Sequence, residues 1–525
     1  MEQFEIRDKK QKYFLIVIIL FLLGSLFANL GIYPLYHEEP RRGLIALEMI
    51  FSDNWIVPTI HGEFYYNKPP LYNWMLIFSY KLFGTYTEFA TRIVSVISFL
   101  LLGWLTYFFT KKYVNRSLAI YSMLFFWIAA DLYYYFSLTA EIDLFFSLIT
   151  FLAFLSTFHF YQQKKWWLLF LSVYLLSALG FLTKGLPSIA FAGITLLGYF
   201  ISQKNFKGLI SWAHLAGIIL FLLITGSYFY FYSGYNNPAG FLTTLYSQST
   251  DRTSSDSGFL GFLTHILTFP FITFKDLVPV TILIVLFIPG RVFRSIRDNK
   301  WISFAALMVV LNILPYWLAP GTRSRYVYML YPFIVIVILY LAGKTVGKPI
   351  RMKIINVFYG LIISIVLLVC VVLPFMPQLG RFSYIPYLSV AGGVFSLSIL
   401  YLFIRFKNMR LLALIACMVL IRWIFDFTVL PIRQLESQPG FDKQDAHIIT
   451  TVSDSKPVYV LKDTRISYTT LFYLEAGKEE IISRADEVES GNYYLSNSEY
   501  LEGIDYELKH LFWYRDTELA FVRVE

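Results

Sequence analysis

The chain has 525 residues, of which 57% are hydrophobic and 15% are charged, and its mean hydropathy is +0.58. A soluble domain is usually about 45–50% apolar, so this composition excludes an ordinary soluble protein and indicates a polytopic membrane protein. The two cysteines, Cys370 and Cys417, lie within apolar runs, which excludes a disulfide framework and a thiolate metal site. The net charge of +9 is spread over short loops rather than along one stripe, so we expect no nucleic-acid partner.

The first apolar run, residues 14–33, follows the basic stretch RDKKQKY. It is longer than the core of a signal peptide and has no small-residue cleavage site, so we predict a retained membrane helix. Twelve further runs approach the length of about 20 residues that crosses a bilayer. They are predicted at 88–109, 117–136, 144–161, 166–182, 187–201, 209–231, 276–290, 301–318, 326–342, 354–374, 384–404 and 411–430.

Lys and Arg are concentrated in alternate junctions between these runs. The stretches RDKKQK, KKYVNR, QQKK, SQKNFK, GRVFRSIRDNK, GKTVGKPIRMK and RFKNMR hold 22 of the 44 basic residues. The positive-inside rule therefore predicts a cytoplasmic N-terminus. The opposite, outer face receives the longer loops 34–87 and 232–275 and the C-terminal part of the chain.

The two long outer loops differ in character. Loop 34–87 contains RRGLIALEMIFSDNW and PPLYNWMLIFSYKLFG, which are apolar at helical spacing but too short to span. We predict two amphipathic helices lying on the membrane surface there. Loop 232–275 includes the polar run SQSTDRTSSDSG, which predicts a mobile loop over a cavity.

The composition changes after residue 432. Residues 433–525 hold 10 basic and 18 acidic residues. KPVYVLK and ELAFVRV are typical of strands, and ISYTTLFYLEAG is typical of a helix that ends at Gly477. We predict an all-α membrane domain over 1–432, followed by a small α/β domain over 433–525 on the outer face. The role of this second domain stays open between a stabilising cap or partner surface and a part in catalysis.

Ionisable residues near membrane spans are functional candidates because they are expensive to bury. On the predicted topology they gather on the outer face at interfacial depth. Acids and bases in such a place suit an amphiphilic substrate with an anionic head, such as a phosphate on a lipid tail. The set comprises Glu38, Glu39, Arg41, Arg42, Glu48, Lys68, Glu141, Asp143, Lys184, Arg252, Arg323 and Arg325.

Each of these candidates also has a structural interpretation. The adjacent side chains of Glu38 and Glu39 diverge, so one can act as a base while the other braces the fold, or both can favour a helix N-terminus. Asp143 can equally be an N-cap. Lys68, held before two prolines, can stabilise a leaving phosphate or extend to lipid headgroups. Arg325 is similarly divided between phosphate binding and anchoring at the membrane interface.

Three outer histidines, His37, His61 and His265, could join carboxylates around a divalent metal ion, but no close-spaced ligand motif is present. Arg422 and Asp426 lie four residues apart near the end of the last predicted span. We predict an internal ion pair between them.

The first outer loop carries a long motif, EEPRRGLIALEMIFSDNWIVPTIHGEFYYNKPPLYNW. It resembles the signature of bacterial lipid-to-acceptor glycosyltransferases of the GT-C superfamily, which includes the lipid A aminoarabinose transferases and the protein O-mannosyltransferases. EFATRIVSV, TAEIDLFFS, LTKGLPS and RYVYMLYPF resemble later family motifs, so the likeness covers about residues 14–345. The chain departs from the family at Glu38, where the family has Asp.

The resemblance implies a polytopic enzyme of the bacterial inner membrane with its active site on the periplasmic face. It would move a sugar from undecaprenyl phosphate, with inversion, to a lipid acceptor like lipid A or to a protein, with or without a divalent metal ion. Glu38 would be the key carboxylate, and Lys68 and Arg252 would hold the donor phosphate. The further residues that we predict for catalysis or substrate binding are Glu39, Asp143, Arg41, Lys184, Tyr66, Arg325 and Tyr326.

Two alternatives remain at this stage. A transporter or flippase of lipid-linked sugars would need a polar path through both leaflets, whereas the candidate residues lie on one face. A membrane scaffold acting through its C-terminal domain would leave the charges of the first outer loop unexplained.

Overall fold

The computed structural model describes residue 6 and residues 8–250, 258–344 and 349–525, without the side chains of 248–250 and 349. The part up to residue 436 is helical apart from one two-stranded hairpin, β1 (Thr59–Ile60) and β2 (Glu63–Phe64). Its helices are α1 (Lys9–Phe27), α2 (Glu39–Phe51), α3 (Leu71–Phe83), α4 (Glu88–Tyr113), α5 (Arg116–Trp127), α6 (Ala130–Tyr134), α7 (Ile142–Gln162), α8 (Trp166–Lys184), α9 (Pro187–Ser202), α10 (Trp212–Ser233), α11 (Pro238–Thr250), α12 (Gly258–Asp276), α13 (Pro289–Arg297), α14 (Lys300–Trp317), α15 (Tyr331–Lys344), α16 (Pro349–Val372), α17 (Ile385–Arg405) and α18 (Arg410–Glu436).

The chain is a multi-pass membrane protein. Among the residues described, eleven helices are long and apolar enough to cross a membrane, and a twelfth span exists if α5 and the segment Ala130–Leu138, bent by 50°, count as one. Helix α9 is apolar but has only 16 residues. The predicted number of thirteen spans is therefore not confirmed.

The structure corrects the prediction around residues 232–290. The loop predicted over 232–275 contains α11 and α12, and α12 is itself a candidate span. The predicted span 276–290 is wrong: α12 ends at Asp276, a 3-10 helix follows over Val280–Leu286, and α13 begins at Pro289. Prolines at 279 and 289 explain the break, since proline removes a helical hydrogen bond and clashes with the preceding turn.

The two short helices predicted in the first outer loop are present as α2 and α3. Helix α2, however, does not lie on the membrane surface, because 10 of its 13 residues are buried. Phe472 covers it so closely that a Cβ at Gly43 would lie 2.6 Å from the phenyl ring. The side of α2 that carries Gly43 is thus an internal contact with the C-terminal part of the chain.

The C-terminal part combines a sheet with two helices, α19 (Gln438–Ser453) and α20 (Tyr468–Lys478). The strands are β3 (Val458–Leu461), β4 (Arg484–Ala485), β5 (Tyr493–Asn497), β6 (Tyr506–Tyr514) and β7 (Thr517–Val524). Strand β3 pairs in parallel with β4 and β5, and β7 pairs antiparallel with β5 and β6, giving the order β4-β3-β5-β7-β6. Helix α20 continues one residue past Gly477, to Lys478, and its C-cap Glu479 is left-handed.

Hydrogen bonds join the C-terminal part to the beginning of α4 and to the segment between α1 and α2. The Leu35 N–H donates to the Tyr473 hydroxyl over 2.9 Å, and that hydroxyl donates to Glu88 over 2.7 Å. Thr469 donates to the Leu35 carbonyl over 3.1 Å. The first outer loop is therefore enclosed between the membrane helices and the C-terminal sheet.

Two predictions about buried polar groups are confirmed. Arg422 Nε lies 2.7 Å from Asp426 Oδ1, and neither side chain is exposed to solvent. Cys370 and Cys417 are both free and buried. All four residues lie in two helices, α16 and α18.

Candidate active site

Glu38 stands at a sharp turn that begins α2. His37 before it has a positive φ of 56°, which is uncommon for a non-glycine residue and occurs in turns and at functional sites. Glu38 occupies the N-cap position, yet its side chain makes no capping hydrogen bond. Its carboxylate instead forms an ion pair with Arg41 and lies 3.9 Å from Arg42 Nη2. With 37% of its side chain exposed, Glu38 is accessible to a substrate.

Glu39 points into the protein. Its carboxylate accepts from Arg92 Nε over 2.8 Å and Nη2 over 3.2 Å, and from the Ala140 N–H over 2.9 Å. Neither Glu39 nor Arg92 is more than 1% exposed. The two adjacent acids therefore diverge, with Glu38 towards solvent and Glu39 in a buried pair that holds the chain next to Glu141.

The beginning of α7 brings two further carboxylates to the same place. Glu141 Oε1 lies 3.0 Å from Arg325 Nη1, and Asp143 Oδ2 lies 3.9 Å from Arg325 Nε. Asp143 also forms an ion pair with Lys184 at the end of α8. Arg325 thus connects the two acids at the beginning of α7 with the segment that precedes α15. The Asp143–Lys184 ion pair connects the same acids with the end of α8.

Burial perturbs the ionisation of Glu141. It raises the pKa of this carboxyl group to about 7; the negative charge of Asp143 adds to the shift, whereas the Arg325 guanidinium opposes it. The charges of Arg42 and Glu38 also act on Glu141, so the groups of α2 and α7 form one electrostatic cluster. A carboxyl group with a pKa near neutrality in a cleft is suited to proton transfer.

The Lys184–Gly185 turn needs its glycine. Gly185 has φ +80° and ψ −141°, a region that is essentially restricted to glycine. A Cβ at this position would also lie 3.0 Å from Leu245 of α11. The turn directs the Lys184 ammonium over the ring of Tyr326, 4.6 Å from its centroid. Lys184 and Tyr326 are therefore held together beside the acids of α7.

Lys68 and Tyr66 lie in the segment between β2 and α3. Arg42 Nη1 donates to the Tyr65 hydroxyl over 3.4 Å, which connects the beginning of α2 with this segment. Tyr66 accepts from Asn236 Nδ2 over 2.9 Å, and the buried Lys68 ammonium donates to the Asn67 carbonyl over 3.2 Å. Tyr66 therefore contacts the segment between α10 and α11. Arg252, predicted to assist there, lies outside the described residues.

The three histidines considered for metal binding lie in three different places. His37 borders the cavity at Glu38, and His265 contacts the Tyr316 carbonyl over 3.2 Å. Burial lowers the pKa of His61 to about 4, so its ring is neutral at pH 7 and Nδ1 donates to the Ile482 carbonyl over 3.0 Å. Within the described ranges no three His, Cys, Asp or Glu side chains are grouped as metal ligands.

Glu38, Glu141 and Arg325 open into one cavity of about 540 Å³. The C-terminal part supplies the other wall, and the Arg41 guanidinium lies 5.9 Å from the ring centroid of Tyr468 there. The sequence placed Glu141 among the outer-face candidates, but only its neighbour Asp143 was predicted to be catalytic. The role of the C-terminal part stayed open, since no local pattern showed that it would supply this wall. The lining residues are His37, Glu38, Pro40, Tyr135, Glu141, Arg323, Arg325, Gln438, Pro439, Asp442, Ser467, Tyr468, Thr469, Tyr514 and Arg515.

The chain is similar to known proteins in sequence and in fold. Residues 67–230 match the family described as dolichyl-phosphate-mannose-protein mannosyltransferase. Two crystal structures of ArnT from Cupriavidus metallidurans superpose over nearly the whole chain. The structure bound to undecaprenyl phosphate has a TM-score of 0.70 at 17% identity, covering 97% of this chain and 98% of that one. The apo structure has a TM-score of 0.71 at 16% identity, covering 98% and 99%.

The chain has the fold of ArnT. Its sequence is also similar to the undecaprenyl phosphate-alpha-4-amino-4-deoxy-L-arabinose arabinosyl transferase 1 of Proteus mirabilis, with 33% identity over 223 residues. That match covers 41% of this chain and 39% of the relative, and a Shewanella sediminis enzyme of the corresponding name matches over 20% of its length at 33% identity. The aligned part thus spans well under half of these relatives. The resemblance predicted from the first outer loop to GT-C glycosyltransferases is confirmed.

Proposed function

We propose that the chain is an inverting glycosyltransferase that moves a sugar from undecaprenyl phosphate to a lipid acceptor like lipid A, or to a protein. The observation that carries the proposal is the convergence of Glu38, Glu141 and Arg325 on one cavity. These residues come from α2, α7 and the entry to α15 in a chain with the GT-C fold. The relatives named above are transferases that use an undecaprenyl-phosphate sugar, which favours this activity over transport.

The proposed chemistry divides between anions and cations. Glu38 or Glu141 takes the proton from an acceptor hydroxyl as its oxygen attacks the anomeric carbon. The bond to the phosphate oxygen breaks on the opposite side, and Lys68 stabilises the negative charge that the leaving polyprenyl phosphate carries. Asp143 keeps Lys184 and Arg325 in place beside the acids. Direct displacement requires no covalent enzyme intermediate.

We further propose that the protein resides in the bacterial inner membrane with its N-terminus in the cytoplasm. The basic alternate junctions support this orientation. In it, the cavity and the C-terminal domain, residues 433–525, face the periplasm, and residues 1–432 form the catalytic membrane domain. Surrounding lipids, the polyprenyl-phosphate donor and the acceptor are then the expected partners.

Transfer can be distinguished from transport by following a labelled sugar. Purified protein in vesicles is incubated with undecaprenyl-phosphate sugar and membrane extract, and the label is located by extraction and chromatography. A transferase moves the label to a new acceptor. Movement of intact donor between leaflets, without a labelled product, would contradict the proposal and favour a flippase.

Lys68→Ala should weaken donor use by roughly 10- to 100-fold in kcat/KM, because a charge-assisted contact to phosphate contributes about 1.5–3 kcal/mol. The measurement is transfer rate against donor concentration. Lys81→Ala is a matched control, since Lys81 lies on neighbouring α3 and its ammonium rests 4.1 Å from the Trp55 ring centroid. If Lys68→Ala and wild type have equal kcat/KM for the donor, Lys68 does not bind the donor phosphate.

The ionisation of Glu141 predicts a pH dependence. Its pKa of about 7 means that the carboxylate form increases as the pH rises through neutrality. If this carboxylate accepts the proton, wild-type transfer should rise between about pH 6 and 8. Glu141→Gln should lose that rise, whereas Glu499→Gln at an exposed site should keep it. An unchanged profile in Glu141→Gln would assign the proton transfer to another group.

A further inference from the structure

A second cavity, of about 350 Å³, lies between α15, α16, α18 and the 3-10 helix Val280–Leu286. Ala342, close to the end of α15, belongs to its lining, whereas Arg325 of the candidate active site precedes the beginning of that helix. The two cavities therefore lie at opposite ends of α15. A volume of this order is typical of ligand sites.

The inner part of this cavity is apolar. Residues of α16 line it over the range 352–359, which is about 10 Å along the helix axis at about 1.5 Å per residue. Buried aliphatic side chains from three elements form the walls there: Leu283, Leu286, Ala342 and Ile355. An apolar space of this length inside a helical membrane domain suits an alkyl chain better than a polar solute.

The other part of the cavity is basic. Lys407 and Arg410, on either side of the beginning of α18, line it together with Asn356 and Asn408. Lys407 and Asn408 are exposed, so this part is the opening. Arg410 Nε donates to the Phe403 carbonyl over 3.2 Å, which fixes the guanidinium there. Among the described residues that line the cavity there is no Asp or Glu, so no carboxylate offsets these two cations.

The position of the cavity in the membrane domain brings lipid to it. Helix α16 belongs to a candidate span, and Ile354, Val357 and Phe358 on it are exposed, as side chains that face hydrocarbon are. They alternate along α16 with residues that line the cavity. Lys407 is the first residue of the last candidate span, which puts its ammonium at the depth of the lipid headgroups.

An alkyl-chain site that opens onto two cations at headgroup depth fits a phospholipid with a net negative charge. Basic pockets between membrane helices bind anionic headgroups in this way. A zwitterionic lipid would bring its own cation close to Lys407 and Arg410, and repulsion between like charges opposes this. A soluble phosphate would leave the apolar part of the cavity unfilled.

We infer that this cavity binds one anionic phospholipid, with its phosphate at Lys407 and Arg410 and an acyl chain beside Leu283 and Ile355. The bound lipid connects α16 with α15 and with the 3-10 helix. In the proposed orientation it belongs to the cytoplasmic leaflet, so it is neither the donor nor the acceptor of a reaction at the periplasmic face. The inference goes beyond the proposed function and does not depend on it.

The test measures lipid binding to the delipidated full-length protein in detergent by native mass spectrometry. The probes are dioleoyl phosphatidylglycerol, dioleoyl phosphatidylcholine with the same chains, and glycerol 3-phosphate, which has the phosphate without the chains. Wild type should bind one phosphatidylglycerol about tenfold more tightly than phosphatidylcholine. Lys407→Ala and Arg410→Ala should each weaken phosphatidylglycerol binding roughly fivefold, the usual contribution of one basic residue beside an anionic headgroup.

Further variants separate the cavity from the general charge of this surface. Lys353→Ala and Arg405→Ala remove exposed cations of α16 and α17 that do not line the cavity, so both should bind phosphatidylglycerol as wild type does. Ala342→Leu fills part of the apolar space without changing the charge, and Met352→Trp does the same from a half-buried position. Each filling variant should lose at least fivefold in affinity, with its thermal unfolding temperature measured to establish that it is folded.

Each contrary result overturns a different part of the inference. If phosphatidylglycerol and phosphatidylcholine bind equally, or if Lys407→Ala and Arg410→Ala bind as wild type does, the two cations do not hold an anionic headgroup. If the folded filling variants keep full affinity, the lipid lies outside the cavity. If glycerol 3-phosphate displaces phosphatidylglycerol at equal concentration, the site binds a soluble phosphate. None of these measurements involves sugar transfer, so their failure and that of the proposed function are distinguishable.

Discussion

Glu38→Gln should lower kcat for sugar transfer by roughly 10²- to 10⁴-fold, the usual contribution of a positioned general base. The amide keeps the size of the side chain but cannot accept the proton of an acceptor hydroxyl. Glu38 is 37% exposed and makes no capping hydrogen bond. We therefore expect little change in stability, and the loss should appear in the rate of a purified, folded protein.

Two further variants sharpen this prediction. Glu63→Gln makes the same chemical change on β2 of the same loop, at an exposed position, and should leave kcat unchanged. Glu38→Asp keeps the carboxylate but withdraws it by about one carbon–carbon bond, or about 1.5 Å, so its rate should lie between those of wild type and Glu38→Gln. A kcat in Glu38→Gln equal to that of wild type would leave Glu141 as the base.

Local patterns in the sequence predicted much of this site. Glu38 and Arg41 lie three residues apart, and hydropathy was sufficient to put α2, α7 and the entry to α15 on one face. The ion pairs between helices could not be predicted from the sequence, because Asp143 and Lys184 are 41 residues apart and Glu141 and Arg325 are 184 residues apart. Their contacts depend on helix packing, which periodicity does not encode.

Two errors have clear physical causes. Helix α12 was not predicted because the polar run before it lowers the mean hydropathy of any window that includes both. Pro270 inside α12 also argued against a continuous helix. The burial of α2 was missed because its partner, Phe472, lies more than 400 residues further along the chain. Amphipathic spacing shows that a face is apolar, but it does not show whether lipid or protein covers that face.

Glu39 was predicted to be catalytic alongside Glu38, but its surroundings lead us to expect a structural role. Arg92 pairs with it and donates as well to the carbonyls of Leu30 and Tyr33 over 2.8 and 2.7 Å. Removing one partner of a buried ion pair destabilises a protein by about 3–5 kcal/mol, because the other charge is left uncompensated. Glu39→Gln should therefore lower the thermal unfolding temperature of the purified protein by several degrees, whereas Glu38→Gln should not.

A double-mutant cycle separates this role from catalysis. Arg92→Met alone should also destabilise the protein, and Glu39→Gln combined with Arg92→Met should lose less stability than the sum of the two single variants. Folded Glu39→Gln protein should keep the wild-type KM and pH profile, since this carboxylate holds the Ala140 N–H and does not line the cavity. A Glu39→Gln variant with normal thermal stability and no transfer would instead place Glu39 among the reacting groups. Glu38 and Glu39 are adjacent and differ chiefly in burial. Comparing Glu38→Gln with Glu39→Gln therefore tests whether the orientation of α2 gives the exposed acid a role in catalysis and the buried acid a role in stability.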